Sequence, residues 1–195
     1  MKAGSILGAI FDLDGTIVDV PYDWSHIKEE LQTGGRPILS YLEQLTEPEK
    51  SRKQRVLEDY ELKATRQAVL KTGIKELLTL LDKKGVARAL VTNNSQENTE
   101  FLLNKFSLRF NVVISRESGM WKPSASPLIA AMQALQVRPE NSCVIGDSLF
   151  DIMAAEEAGI PRIFIINHDP KRFPQDRADI FPDVEKLFSS LSRIL

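Results

Sequence analysis

The sequence predicts an α/β protein, a doubly wound parallel sheet with a small all-helical insert after its first strand, and three observations lead there. Short, continuously apolar runs recur as "SILGAIF" (5–11), "VARALV" (86–91), "NVVIS" (111–115), "SCVIG" (142–146) and "PRIFII" (161–166), which suits strands buried on both faces. Helical patterns separate the later runs, so strands and helices alternate as in right-handed crossover units. The interval from Asp12 to Val86 holds several helices where one crossover needs about one.

Taken in order, the first strand ends near Asp12. "PYDWSHIKEEL" and "RPILSYLEQL" read as the first two helices of the insert, with Gly34, Gly35 and Arg36 in the turn between them. The charged stretch from Glu47 to about Val69 reads as a long third helix. Its packed stripe is expected at Val56, Tyr60 and Ala64, with Lys53, Arg55, Glu58, Asp59, Glu61 and Lys63 solvated around it. Trp24 reads as a packing anchor and His26 as half-buried. "GIKELLTLLDKKG" leads back to the sheet with Leu77, Leu78 and Leu81 facing inward and Gly85 at its end. The expected division is 1–17 and 73–195 for the α/β core and 18–72 for the insert. Later helices cover roughly 95–106, 125–136 and 149–158, with Asn94 and Glu97 as a capping box and Gly159 at a helix C-terminus.

Composition narrows the function classes. The chain has 195 residues, 43% hydrophobic and 27% charged, which argues against global disorder. A net charge of −2, from 25 Lys plus Arg against 27 Asp plus Glu, gives no field for a polyanion, so a nucleic-acid footprint is not expected. Cys143 is the only cysteine, which excludes an intramolecular disulfide and a cysteine-rich zinc site; within "SCVIG" it reads as a buried strand residue. The N-terminal "MKAGSILGAIFDLDG" is wrong for a signal peptide, and no apolar run approaches the roughly 20 residues of a membrane span. The expectation is a cytoplasmic protein, a monomer or small homo-oligomer, without a membrane partner.

Ligands of a doubly wound sheet bind at the carboxyl ends of its strands. Those ends carry Asp12 and Asp14 after the first strand, Thr92, Asn93, Asn94 and Ser95 after the second, and Asp147 and Ser148 after the fourth, with Asp151 one helical turn later. The loop after the third carries Lys122. Carboxylates crowded at one edge repel unless a cation lies among them, and an all-oxygen donor set suits a hard ion such as Mg²⁺. A hydroxyl, turn N–H groups and an ammonium at the same edge suit the equatorial oxygens of a phosphoryl group.

With these positions matched in order, the chain resembles the haloacid dehalogenase superfamily of hydrolases: "DLDGT" (12–16) is similar to its first motif, Thr92 of "LVTNNS" to its second, Lys122 of "WKP" to its third and "GDSLFD" (146–151) to its fourth. A helical insert between the first two motifs resembles the subgroup with an α-helical cap on a Rossmann-like core, as in phosphoglycolate phosphatase and β-phosphoglucomutase. The resemblance implies that Asp12 attacks phosphorus to give an aspartyl-phosphate, that Asp14 shuttles the proton, and that Mg²⁺ is held by the Asp12 carboxylate, the Asp14 carbonyl and Asp147. It further implies that Thr92, the Asn93 N–H and Lys122 bind the phosphoryl group while Asp151 orients a metal-bound water or Lys122. Asp14 favours phosphate over halide chemistry, since halide displacement needs no proton. No insert lysine among Lys28, Lys50, Lys53 and Lys63 stands out as a desolvated Schiff-base candidate. The implied activity is a phosphatase acting on a small phosphorylated metabolite, a phosphoglycolate-like acid or a sugar phosphate, with Arg36 reading an anionic group of the substrate. The alternatives are a phosphomutase that passes the same phosphoryl group to a sugar, and a binding module that keeps the fold without the reaction.

Overall fold

The computed structural model describes residues 5–174 and 176–195 and divides into two compact units, Met1–Asp19 with Val69–Leu195, and Val20–Ala68. The first is α/β and the second is helical. In chain order the elements are β1 (Gly8–Phe11), β2 (Val18–Asp19), α1 (Trp24–Glu30), α2 (Ile38–Glu43), α3 (Glu49–Arg66), β3 (Val69–Leu70), α4 (Ile74–Lys83) and β4 (Ala87–Val91). They continue with α5 (Gln96–Phe106), β5 (Val112–Ile114), α6 (Ser126–Leu135), β6 (Ser142–Gly146), α7 (Leu149–Glu157), β7 (Arg162–Ile166), β8 (Asp179–Phe181) and α8 (Val184–Ile194).

Six strands form a sheet in the order β5-β4-β1-β6-β7-β8, every pairing parallel. The central strands β1 and β6 are buried at every residue, which is why they read as unbroken apolar runs rather than an alternation. Successive side chains still point to opposite faces. Ile10, Ala89, Val91, Val144, Ile163 and Ile165 pack with Leu128, Ala131 and Met132 of α6 and Ile152, Ala154 and Ala155 of α7. Helices α4 and α8 pack on each other and against strands of the sheet, and Leu77, Leu78 and Leu81 of α4 are buried as their spacing predicts. Cys143 is fully buried in β6, where loss of solvent pushes its thiol pKa up to about 12.

Several details depart from the sequence reading. The N-cap of α5 is Ser95, whose hydroxyl accepts from the Asn98 N–H, rather than Asn94 paired with Glu97. Val18–Asp19 and Val69–Leu70, expected within the insert, form a short antiparallel pair in the α/β unit, tied by a 2.6 Å Lys71–Asp19 ion pair. Strands of two residues carry no periodicity for a sequence pattern to register.

Within the helical unit, Ile27, Leu31, Ile38, Tyr41, Leu42 and Leu57 form the core. The buried face of α3 is Lys53, Leu57, Glu61, Ala64 and Thr65, so the expected stripe of Val56, Tyr60 and Ala64 is displaced, with Val56 and Tyr60 only partly buried beside that core. Lys53 occupies the face because its ammonium is satisfied: Nζ donates to the Leu31 carbonyl at 2.6 Å and to the Tyr41 hydroxyl at 2.6 Å, tying α3 to the end of α1 and to α2. A lysine expected to be solvated is therefore 5% exposed. Trp24 is exposed and stacks on Tyr22 with ring centroids 4.4 Å apart, and His26 is exposed with Nε2 3.0 Å from the Tyr60 hydroxyl.

Lys53→Ala leaves the Leu31 carbonyl and the Tyr41 hydroxyl without that donor and removes the packed lysine stem. The expected result is a loss of about 1–3 kcal/mol in the stability of the helical unit, read as a lower urea midpoint. A midpoint equal to that of the parent protein would show that this contact does not support the unit.

Candidate active site

The carboxyl ends of β1, β4 and β6 and the loop after β5 meet at one edge of the sheet. Ladder-type hydrogen bonds carry two key residues there: the Asp12 N–H donates to the Ile145 carbonyl at 2.9 Å and the Thr92 N–H to the Ile114 carbonyl at 2.9 Å. After Asp12 the chain turns back, with the Ile17 and Val18 N–H groups donating to the Leu13 carbonyl. Gly15 serves this turn twice. Its φ is +82°, and a Cβ there would stand 2.0 Å from Asp147 Oδ2, so the carboxylate from the β6 loop comes right against the β1 loop.

Lys122 is the centre of the cluster. Its Nζ donates to Asp12 Oδ1 at 2.7 Å and to Asp151 Oδ1 at 2.6 Å, with the lysine 5% exposed. Burial alone would lower the ammonium pKa, but Asp12 and Asp151, through charge and hydrogen bonds, outweigh it and hold Lys122 above the ordinary lysine value. Asp151 is itself fixed. Its Oδ2 accepts from the N–H groups of Asp147 (3.2 Å) and Ser148 (3.1 Å) and from the Ser148 hydroxyl (2.6 Å), closing a capping box at the start of α7. The seat exists because residue 146 is glycine, where a Cβ would lie 2.3 Å from Asp151 Cγ.

Asp12, Asp147 and Asp151 each offer an oxygen within 4.8 Å of the others. Burial, opposed by Lys122 and reinforced by Asp151, pushes the Asp12 carboxyl up to about 6. Burial, followed by the charges of Asp12 and Asp151, pushes Asp147 up to about 8. Two carboxylates thus share one buried ammonium with a third beside them, and the donor set is all oxygen, which fits a hard divalent cation. With both Asp151 oxygens committed to the lysine and the α7 cap, Asp12 and Asp147 are the side chains best placed to hold one.

The β4 loop braces its neighbours. The Asn93 side chain pairs with both backbone groups of Lys122, Nδ2 donating to the carbonyl at 2.8 Å and Oδ1 accepting from the N–H at 2.9 Å. Arg116 Nε donates to the Asn93 carbonyl at 3.0 Å. Thr92 Oγ1 accepts from the Asn94 N–H at 3.0 Å, which leaves its hydroxyl proton as a donor. Asn94 Nδ2 donates to Asp14 Oδ2 at 2.9 Å. The structure therefore gathers Asp12, Asp14, Thr92, Asn93, Lys122, Asp147 and Asp151 at this edge. The supporting roles of the Asn93 side chain, Asn94, Arg116 and Ser148 were not read from the sequence; for Ser148, the spacing to Asp151 three residues on was the available signal.

Arg36 lies in the helical unit. It is exposed but held: its guanidinium stands 4.4 Å over the Tyr41 ring, Nε donates to the Thr33 carbonyl at 2.9 Å and Nη1 to Gln44 Oε1 at 3.0 Å.

Comparison with known proteins places this geometry in a family. The profile of the haloacid dehalogenase-like hydrolases matches residues 21–165. A haloacid dehalogenase-like hydrolase domain-containing protein of Arabidopsis thaliana is 27% identical over 75% of this chain, which spans 65% of that protein's length. A phosphoglycolate phosphatase of Nitrosospira multiformis is 30% identical over 79% of this chain and 80% of its own. Among solved structures, a hydrolase from Pseudomonas syringae shares the fold with a TM-score of 0.80 at 21% identity, covering 96% of this chain and 99% of that one. The chain belongs to the haloacid dehalogenase-like hydrolases.

Proposed function

We propose that this phosphatase of the haloacid dehalogenase-like family hydrolyses a small phosphomonoester, a phosphoglycolate-like acid or a sugar phosphate, with Mg²⁺ and through an aspartyl-phosphate on Asp12. The observation that carries the reading is the buried Lys122 ammonium shared between Asp12 and Asp151. It sets a cation beside the nucleophile and against the oxygens of an incoming phosphoryl group.

Asp12 and Asp147, with the Asp14 backbone carbonyl, would hold the metal. A bound Mg²⁺ supplies charge neutralisation, which lets an anionic carboxylate approach an anionic phosphate. Asp12 Oδ forms the bond to phosphorus as the bond to the leaving oxygen breaks, and Asp14 gives that oxygen its proton. Water then attacks the aspartyl-phosphate, Asp14 takes the water's proton, and the phosphorus–oxygen bond to Asp12 breaks to release inorganic phosphate. Throughout, the Thr92 hydroxyl, the Asn93 N–H and Lys122 bind the equatorial oxygens. The helical unit selects the substrate, with Arg36 binding an anionic group other than the transferring phosphate.

A panel of phosphomonoesters, assayed with Mg²⁺ and with chelator, tests the reaction. Activity is expected only with metal, and Asp12→Asn is expected to lower kcat by roughly three orders of magnitude or more. Metal-independent turnover, or a fully active Asp12→Asn enzyme, overturns the mechanism. Arg36→Ala is expected to lower kcat/KM roughly tenfold on the best substrate, chiefly through KM; an unchanged value removes Arg36 from recognition.

Asp147 gives a separate readout in stability. Its folded-state pKa of about 8 lies above the ordinary 3.8, so the folded protein binds this proton more tightly than the unfolded chain does. That contribution is full below pH about 3.8 and is lost as pH rises through about 8. Asp147→Asn removes the titration, so in chelator at pH 8 the variant is expected to melt above the parent, by roughly 2–4 °C per kcal/mol gained. Saturating Mg²⁺ is expected to raise the melting temperature of the parent and leave that of the variant in place. The opposite pattern, a variant that keeps the Mg²⁺ shift, removes Asp147 from the metal site.

A further inference from the structure

From the geometry of the β4 loop we infer that Asn94 is a positioning residue for Asp14, held in turn by Asn98, and that this chain of amides fixes the carboxyl orientation on which proton delivery to the leaving group depends. The inference rests on the proposed role of Asp14 as proton shuttle. Asn94 Nδ2 donates to Asp14 Oδ2 at 2.9 Å across 80 residues of sequence. An asparagine amide can present either end, and here its orientation is determined: Oδ1 accepts from the Ser95 N–H at 2.8 Å and from Asn98 Nδ2 at 3.1 Å. With two donors on Oδ1, the NH₂ end is the one that faces Asp14. The support is buried, Asn94 being 3% and Asn98 5% exposed, and Asn98 sits in the first turn of α5, the helix that Ser95 caps.

The consequence is geometric. An amide N–H can only donate, so it engages Oδ2 as an acceptor and prevents free rotation of the carboxyl group about its last bond. The plane of the carboxyl group is thereby set, and with it the orientation from which the proton is transferred to the leaving group and recovered from water. Asp14 is only half-buried in a turn, and the bond from Asn94 narrows the rotamers open to its side chain. The neighbouring Asn93 uses its side chain to clamp Lys122 in the same way, so successive asparagines of one loop hold the lysine and the proton shuttle respectively.

Leaving-group dependence tests this apart from general damage to the site. An alkyl phosphate needs its leaving oxygen protonated, whereas p-nitrophenolate departs as a stable anion. For Asn94→Ala, kcat/KM on an alkyl phosphate, which reports only the steps up to departure of the leaving group and not the hydrolysis of the aspartyl-phosphate common to both esters, is expected to fall roughly 10- to 100-fold, part of the 10²–10⁴ that a positioned acid contributes. On p-nitrophenyl phosphate the fall is expected to stay within about threefold. Asn98→Ala is expected to repeat the selectivity at smaller size, and it decides the matter if Asn94→Ala does not fold. Asp14→Asn is the control. If Asp14→Asn is selective for the alkyl ester and both asparagine variants lose activity equally on the two esters, or lose none, the inference falls while the reading of Asp14 stands. If Asp14→Asn itself shows no selectivity, the role of Asp14 and this inference fall together.

Discussion

The rest of the site depends on one buried ammonium. Lys122 Nζ sits within 2.7 Å of both Asp12 Oδ1 and Asp151 Oδ1, and the carboxylates that converge on this edge could not otherwise be brought so close. Taking ions out of water costs several kcal/mol each unless geometry and further hydrogen bonds compensate. The compensation is visible at Asp151, which accepts from two backbone N–H groups and a serine hydroxyl besides the lysine. It is incomplete at Asp12 and Asp147, whose carboxyl pKa values remain raised. The cluster is thus short of positive charge at Asp12 and Asp147.

The loops that supply these groups are also tied to each other. Asn93 from the β4 loop holds the backbone of Lys122 in the β5 loop, Arg116 from the β5 loop holds the Asn93 carbonyl, and Asp151 beyond β6 holds the lysine head. Each loop is therefore fixed by a partner distant in sequence as well as by its own turn chemistry. Such bracing sets charge and donors in place before a substrate arrives, so little reorganisation is left for the reaction itself. The central strands serve the same end, since the hydrogen bonds from Asp12 to Ile145 and from Thr92 to Ile114 extend the sheet ladder up to the reacting groups.

This division between ladder and bracing explains what could be read from the sequence. β1 and β6 were legible because burial on both faces makes them continuously apolar, and the polar residues that end them stood out against that background. The α3 face was not legible, because Lys53 is buried by partners 22 and 12 residues away and no local pattern marks a lysine whose donors will be satisfied. Asn94 and Ser95 are both good N-cap residues, so local propensity could not choose between them. The fold chooses Ser95 because the Asn94 side chain is engaged with Asp14 across the β1 loop. In each case the misreading concerns a polar side chain whose partner lies far along the chain, and the bond missed at Asn94 is one that supports the candidate site.

The spacing of the two aspartates follows from the same tension between core and edge. Leu13 between them is fully buried, and its carbonyl accepts from the Ile17 N–H at 2.9 Å and the Val18 N–H at 3.1 Å. The leucine therefore anchors the turn to the core while its carbonyl organises the returning chain, and the carboxylates on either side are left to the edge. A single aspartate at this strand end could meet Lys122, but a second group with separate surroundings would have to come from another loop. With Leu13 as the pivot, one short segment delivers Asp12 to the lysine and Asp14 to Asn94. Two chemically identical side chains so acquire different environments within three residues. That difference is what the proposed reaction requires of them, one to act as a nucleophile and the other to carry a proton.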